Sequence, residues 1–124
     1  MTEGSEHALS ISVAEPSDGV FVVSLVGELE ATSSDELSRQ LAGLRGNART
    51  RVVVDVSGLT FIDSSGLNAL VMGARAVEAN EGSLVVAGAP RYVARVLELV
   101  RMADSVEVEA SVEEALRRAG VDPA

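Results

Sequence analysis

The chain has 124 residues, of which 19 are acidic and 10 are basic, and its net charge is -9. Its hydrophobic fraction of 47% is enough to bury the core of one domain. The negative charge would repel a phosphate backbone, which argues against direct nucleic-acid binding, and no apolar run reaches the ~18 residues of a membrane span. We therefore expect one cytoplasmic domain with no nucleic-acid or membrane partner.

Missing residue types exclude most familiar catalytic and metal-binding sites. The chain has no cysteine and no lysine, so thiol chemistry, lysine Schiff bases and a lysine general base are excluded. Its one histidine, His7, lies in a polar N-terminal segment, where a Ser-His-Asp triad or a multi-histidine metal site is difficult to build. We expect a protein that is not an enzyme and needs no cofactor or metal.

The N-terminal part of the chain predicts a β-hairpin. Apolar and small or polar residues alternate over 9–14, which predicts a strand with one buried face. Residues 15–19 (EPSDG) provide turn chemistry, and the apolar residues 20–26 predict a second strand, covered on both faces, that ends at Gly27. The first strand is therefore expected at the edge of the sheet.

A helix and a buried strand are predicted next. Ser33 and Glu36 have the spacing of a capping box, and leucines follow at helical intervals up to position 44. Residues 51–55 (RVVVD) form a β-branched run that favours a buried parallel strand of about five residues. The Ser-Gly pair at 57–58 bounds this strand.

The rest of the chain alternates between helices and strands. The predicted elements are a helix from Asp63-Ser64 towards residue 80, a strand at 84–87, a helix after Pro90, a strand at 106–108 and a helix capped by Ser111 and Glu114. The order predicts an α/β fold in which an N-terminal β-hairpin leads into a mixed, mainly parallel sheet of about five strands with about four helices. We expect a domain at 9–119, a flexible N-terminal segment at 1–8 and a C-terminal tail at 120–124.

The segment 63–66 (DSSG), between the third strand and the second helix, has two interpretations. In the first, a serine or aspartate here only caps the helix N-terminus. In the second, a serine hydroxyl bears a phosphoryl group, which the free N–H groups and the dipole of the helix would stabilise. Phosphorylation would add about two negative charges beside Asp63 and change which partner surface this part of the molecule accepts.

Three motifs resemble the anti-sigma factor antagonist family, which belongs to the STAS domains. They are residues 27–30 (GELE), 53–59 (VVDVSGL) and 61–67 (FIDSSGL), and DSSG is the most specific part. The resemblance implies a STAS-type fold and an antagonist that binds an anti-sigma factor serine kinase, so that a sigma factor is released. It also implies that phosphorylation of Ser64, the serine directly after the aspartate, ends this binding and that a PP2C-type serine phosphatase restores it.

The resemblance also implies a partner-binding surface around Ser64. Asp63, Ser65 and Gly66 would shape the phosphoacceptor loop. The turn between the second strand and the first helix would lie beside it and add to the kinase-binding face, through Glu28, Glu30 and Thr32. The family commonly has Asp where this chain has Glu30, a difference of one methylene that keeps the charge.

The sequence also allows other interpretations of the function. A STAS interaction or scaffold module of a stress-signalling complex, not switched by phosphorylation, is the main alternative. Weak phosphate or nucleotide binding at the helix N-terminus also stays open. A hydrolase is disfavoured because the segment 63–66 is not a G-x-S-x-G elbow and no base is present. Asp55 is assigned a structural turn or cap rather than the phosphoacceptor role of a receiver-like domain.

Several surface residues have a structural and a functional interpretation. The arginines near the C-terminus are interpreted as solvated, salt-bridging helix faces rather than a binding patch. Leu67 is assigned to the core from its helical phase, and Met72 lies off the main apolar stripe and is left unassigned. The arginines concerned are Arg91, Arg95, Arg101, Arg117 and Arg118.

Overall fold

The computed structural model describes residues 9–44, 49–102 and 106–121. Five strands form one sheet in the order β1-β2-β3-β4-β5. β1 is antiparallel to β2, and every other neighbouring pair is parallel. The elements in chain order are β1 (Ser10–Ser17), β2 (Val20–Leu29), α1 (Ala31–Ala42), β3 (Arg51–Ile62), α2 (Ser64–Ala79), β4 (Ser83–Ala87), α3 (Arg91–Met102), β5 (Glu107–Glu109) and α4 (Val112–Arg118).

The predicted α/β fold is confirmed, with its N-terminal hairpin, mainly parallel sheet and helices on the crossovers. β1 lies at the edge of the sheet, as the sequence predicts. The main core lies between the sheet and helices α1, α2 and α3, where buried leucines, valines and alanines pack together. A smaller cluster packs α4 on the opposite face, centred on Val53, Ala87 and Ala115. Helices therefore cover both faces of the parallel part of the sheet.

The hairpin differs from its predicted form in two ways. β1 runs to Ser17, through the first three residues of the expected turn, because a register shift between Ala14 and Ser17 keeps the strand paired with β2. The turn itself is confined to residues 18 and 19. Most of β1 is exposed rather than buried on one face: Ile11 packs against the core, but Val13 remains 42% exposed. The physical reason is position, since the outer part of an edge strand lies beyond the helices that cover the sheet.

The third strand is longer than predicted. β3 has 12 residues, and it continues through the Ser-Gly pair that was expected to end it. Gly58 stays in the strand because β2 passes so close that an added Cβ would lie 2.9 Å from the Leu25 carbonyl oxygen. β2 in turn continues beyond Gly27, whose φ of 118° allows a local register shift, and ends at Leu29. Both glycines permit close strand pairing rather than a turn.

The predicted limits of the domain and its tails stay predictions. The segment 1–8 and residues 122–124 lie outside the described residues. Among the helices of the described ranges, none combines the length and apolar character that a membrane span requires.

Candidate functional site

Two strand-to-helix junctions lie side by side at the carboxyl edge of the sheet. Parallel pairing aligns Glu28 with Phe61 and Leu29 with Ile62, so β2 and β3 end at the same level. Helices α1 and α2 begin immediately after these ends and pack against each other. In open α/β sheets this edge is where binding residues collect, because the loops of neighbouring strands meet there. The junctions contain Glu28, Glu30, Thr32, Asp63, Ser64, Ser65 and Gly66, which together we call the junction corner.

Asp63 ties the second junction together. It is the N-cap of α2, and its Oδ1 accepts a hydrogen bond from the Gly66 N–H at 3.0 Å. Its own N–H donates to the Leu29 carbonyl at 3.2 Å, which joins the start of α2 to the end of β2. The predicted start of the second helix is therefore confirmed, and the capping residue is the aspartate rather than a serine.

Gly66 allows α2 to approach β2 closely. It is buried, and an added Cβ would lie 2.7 Å from both the Cγ and the carbonyl oxygen of Leu29. It would also lie 3.0 Å from Ile62 Cγ1. Any larger residue would push the first turn of α2 away from the sheet, so this glycine sets where the neighbouring serines stand.

Ser64 and Ser65 have different environments although they are adjacent. Ser64 is the first helical residue and is exposed, whereas Ser65 is partly buried. Among the described residues, no acceptor bonds the backbone N–H of either serine, as is usual in the first turn of a helix. The exposed hydroxyl of Ser64 thus stands next to two free backbone donors at the positive end of the α2 dipole.

The first junction uses its serine differently. Ser33 Oγ accepts a hydrogen bond from the Glu30 N–H at 3.0 Å and donates one to the Glu28 carbonyl at 2.9 Å. Helix α1 therefore begins at Ala31 with Glu30 as N-cap, three residues earlier than a Ser33 cap would place it. The predicted Ser33–Glu36 capping box is wrong, because the Ser33 hydroxyl is already bonded to backbone groups that precede it.

Glu36 instead pairs along the outer face of α1. Arg39 donates to its Oε1 at 2.6 Å, and Gln40 donates to its Oε2 at 3.2 Å. The hydrogen bond and charge of Arg39, together with the Gln40 hydrogen bond, lower the pKa of the Glu36 carboxyl from its ordinary value. Glu36 thus belongs to the exposed side of α1 and takes no part in the junction corner.

The junction corner is acidic and partly open to solvent. Glu28, Glu30 and Asp63 are each partly buried, and Thr32 is exposed on the first turn of α1. The structure therefore brings the candidate residues of both motifs to one edge. Within the described ranges, no cluster of three or more His, Asp or Glu side chains has a geometry suited to a metal ion.

An aromatic contact beside the junction corner was not predicted from the sequence. Phe61, near the end of β3, stacks on Tyr92 of α3 with ring centroids 6.4 Å apart and an interplanar angle of 21°. Tyr92 is the only tyrosine in the chain and stays 50% exposed. A single tyrosine in the sequence could have marked this position as unusual. Helical periodicity alone, however, gives no reason to pair it with a residue 31 positions earlier.

The structure also shows the environments of the remaining candidate residues. Asp55 accepts the Ser57 N–H at 3.0 Å, a local turn-like contact of the kind that was predicted for it. Leu67 is partly buried against the core, and Met72 is 50% exposed on α2. Arg117 and Arg118 pair with acidic residues, as expected of a salt-bridging face, whereas the side chain of Arg101 lies outside the described residues.

Comparison with known proteins identifies the family. The family model described as "Mlab, STAS domain" matches residues 13–122, which is most of the chain. The chain belongs to the STAS domain family. The resemblance inferred from the three sequence motifs is confirmed.

Relatives of this STAS protein include anti-sigma factor antagonists. It is 25% identical over 96 residues to the anti-sigma-B factor antagonist of Staphylococcus aureus, covering 77% of this chain and 89% of the relative. An anti-sigma factor antagonist from Mycobacterium paratuberculosis has the same fold, with a TM-score of 0.77, 21% identity and coverage of 90% of this chain and 94% of the other.

The antagonist SpoIIAA also shares the fold. Its unphosphorylated form matches with a TM-score of 0.68, 20% identity and coverage of 90% and 98% of the two chains. The phosphorylated form of the Bacillus protein matches with a TM-score of 0.67, 20% identity and coverage of 89% and 99%. The fold of this chain is therefore similar to both forms.

Proposed function

We propose that this STAS protein is an anti-sigma factor antagonist of the cytoplasm that is controlled by phosphorylation of Ser64. In its unphosphorylated form it binds an anti-sigma factor that is also a serine kinase, and a sigma factor is released. Phosphorylation of Ser64 ends the binding, and a PP2C-type serine phosphatase restores it. The observation that carries the proposal is the exposed Ser64 hydroxyl at the start of α2, held beside the Asp63 cap.

The three serines at the two junctions are not equivalent as phosphoacceptors. Ser33 Oγ is engaged by the Glu30 N–H and the Glu28 carbonyl. Ser65 is partly buried, so a kinase would have to disturb the first turn of α2 to reach it. Ser64 is exposed, and its side-chain oxygen makes no hydrogen bond with another described residue. Accessibility therefore favours Ser64.

The local chemistry suits a phosphoserine without unfolding the helix. The Ser64 oxygen attacks the γ-phosphorus of ATP held by the partner, ADP leaves, and the hydroxyl proton passes to a base of the kinase. The phosphate gains the free N–H groups and positive dipole end of α2, an interaction that stabilises anions at helix N-termini. The helix start at Ser64 is thus preserved after modification.

The acidic neighbours make the added charge effective as a switch. Phosphorylation adds about two negative charges to a corner that already contains Glu28, Glu30 and Asp63. A partner surface suited to the unmodified corner would meet a much more negative potential. We assign Glu28, Glu30, Thr32, Asp63 and Ser65 to direct partner contact or loop shape, and the buried Gly66 to positioning.

Phosphoryl transfer with the purified anti-sigma factor kinase and ATP, followed by mass spectrometry, tests the assignment. We expect one phosphate on wild type, none on Ser64→Ala, and unchanged labelling of the control Ser38→Ala, which removes an exposed serine hydroxyl from α1 outside the junction corner. Label that persists in Ser64→Ala would overturn the proposal.

A binding measurement separates the switch from the scaffold alternative. We expect Ser64 phosphorylation to weaken kinase binding by at least about tenfold. A charge that is buried at an interface without a partner costs more binding free energy than the ~1.4 kcal/mol of a tenfold change. Equal affinity of the phosphorylated and unmodified forms would instead favour a STAS scaffold module that is not phosphorylation-switched.

A further inference from the structure

The outer side of α3 presents apolar side chains to solvent. Tyr92 is 50% exposed and Leu99 is 67% exposed, the largest exposed fraction among the large hydrophobic residues described. Positions 92, 95 and 99 follow the i, i+3, i+7 spacing, so Tyr92, Arg95 and Leu99 share one side of the helix. With Arg91 at the start of the same turn, these four residues form what we call the α3 face.

The placement of the aromatic residues argues that this exposure has a use. The chain has only two phenylalanines and one tyrosine. Phe21 is buried at 7% exposure, but Phe61 and Tyr92 stack on each other at the surface, while leucine and valine fill the core. Exposed aromatic residues that are already ordered lose little conformational entropy on binding, which is why they are frequent at the centres of protein interfaces.

The stack joins the α3 face to the junction corner. Phe61 pairs with Glu28 across the sheet and precedes Asp63 by two residues. Tyr92 packs on Phe61 from the start of α3. The Phe61–Tyr92 stack therefore connects the start of α3 to the end of β3, two residues before Asp63 of the junction corner.

The α3 face contains two arginines, and the exposed Glu98 lies beside them on the same helix. Arg91 and Arg95 are exposed, and neither forms an ion pair with another residue of the described ranges. The salt-bridging interpretation of these two arginines is therefore wrong for the described residues, whereas Arg117 pairs with Glu114 at 2.7 Å. Free guanidinium groups beside exposed apolar side chains fit an apolar groove with carboxylates at its rim.

We propose that the α3 face is a second docking surface for the anti-sigma factor, which contributes an apolar groove with acidic residues. This proposal rests on the proposed function and assigns the partner's contact area beyond the phosphorylation site. The junction corner changes charge on phosphorylation, whereas the α3 face keeps its chemistry. The α3 face thus selects the partner, and Ser64 controls whether that partner stays bound.

Calorimetry with a purified anti-sigma factor that binds the wild-type chain tests the proposal. We expect Tyr92→Ala and Leu99→Ser each to weaken binding about tenfold, the effect of losing a central interface contact. Tyr92→Phe keeps the stacked ring and should retain most of the affinity. The matched control is Val13→Ala, which removes an exposed apolar side chain from β1 and should change the affinity less than about twofold.

Further measurements separate the possible outcomes. Urea unfolding of each variant shows whether a loss of affinity follows from a loss of folding. If Tyr92→Ala does not fold, the affinity of Leu99→Ser, compared with that of Val13→Ala, decides. Wild-type affinity in both Tyr92→Ala and Leu99→Ser would overturn the α3 proposal, even if phosphorylation of Ser64 still blocks binding. Conversely, if phosphorylation of Ser64 leaves the affinity unchanged while both α3 variants lose affinity, only the proposed regulation is overturned.

Sedimentation of wild type and Leu99→Ser tests whether the chain associates with itself through the α3 face. A dimer that is lost in Leu99→Ser, with unchanged affinity for the partner, would assign the face to a second copy of the chain instead.

Discussion

The two junctions at the carboxyl edge of the sheet have the same architecture but use their serines in opposite ways. Each begins at the end of a parallel strand and leads directly into a helix, with an acidic N-cap, Glu30 or Asp63. At the first junction, the serine at the third helical position bonds the N–H of the cap residue and the Glu28 carbonyl, two residues before the cap. At the second, the cap carboxylate bonds the third residue itself, and the serine at the first helical position is exposed.

The difference shows that position within the first helical turn decides what a serine can do. A hydroxyl at the third position points back to the cap and completes the backbone hydrogen bonding of the junction. A hydroxyl at the first position projects outward and stays available to an enzyme. Ser33 is therefore structural, and Ser64 is suited to modification, although the local sequences at both junctions are rich in Ser, Asp and Glu.

The largest effect is expected from breaking the close approach at the second junction. Gly66→Ala places a Cβ 2.7 Å from the Leu29 carbonyl oxygen, a backbone atom that cannot move without shifting β2. We expect a loss of about 2–3 kcal/mol in the free energy of unfolding, measured by urea denaturation. Gly43→Ala is the control, because its Cβ would have 3.5 Å to the nearest atom, and it should be neutral or slightly stabilising. Equal stability of the two variants would show that α2 can move away from β2 at the second junction without a loss of stability.

A smaller effect should distinguish the two serines directly. Ser33→Ala removes the acceptor of the Glu30 N–H and the donor to the Glu28 carbonyl, so we expect it to cost about 1 kcal/mol. Ser64→Ala removes an exposed hydroxyl and should change stability by less than about 0.5 kcal/mol. In the kinase assay the order of the two effects reverses, because Ser33→Ala should still be phosphorylated whereas Ser64→Ala should not. A larger loss of stability in Ser64→Ala than in Ser33→Ala would contradict the comparison.

The smallest effect concerns the outer face of α1. The Arg39 and Gln40 hydrogen bonds lower the pKa of Glu36, so its stabilising contribution is present above the unfolded-state pKa and is lost as the pH falls through the folded one. Glu36→Gln should be slightly less stable than wild type near neutral pH. The difference should shrink below about pH 5 and vanish in stronger acid, as followed by thermal unfolding across pH. A difference that is independent of pH would show that the charge of Glu36 is not involved.

Local sequence patterns were sufficient for the order of elements and for the second junction. Alternating apolar runs and helical leucine spacing depend on neighbours within one turn or one strand, and both the α/β order and the edge position of β1 are confirmed. The start of α2 followed from the same local chemistry, because an N-cap and its partner are only three residues apart. The family resemblance supplied the proposed role of Ser64.

Tertiary contacts decided what local patterns could not. A glycine inside β3 has the composition of a turn, but the approach of β2 to Gly58 makes it part of the strand. The register shifts between β2 and β3 depend on backbone pairing across about 30 residues of sequence. The Phe61–Tyr92 stack, and with it the α3 face, exists only because β3 and α3 meet in space. Sequence alone determined the elements and the chemistry of the junction corner, and the packed fold decided which hydroxyl is free and which surface adjoins it.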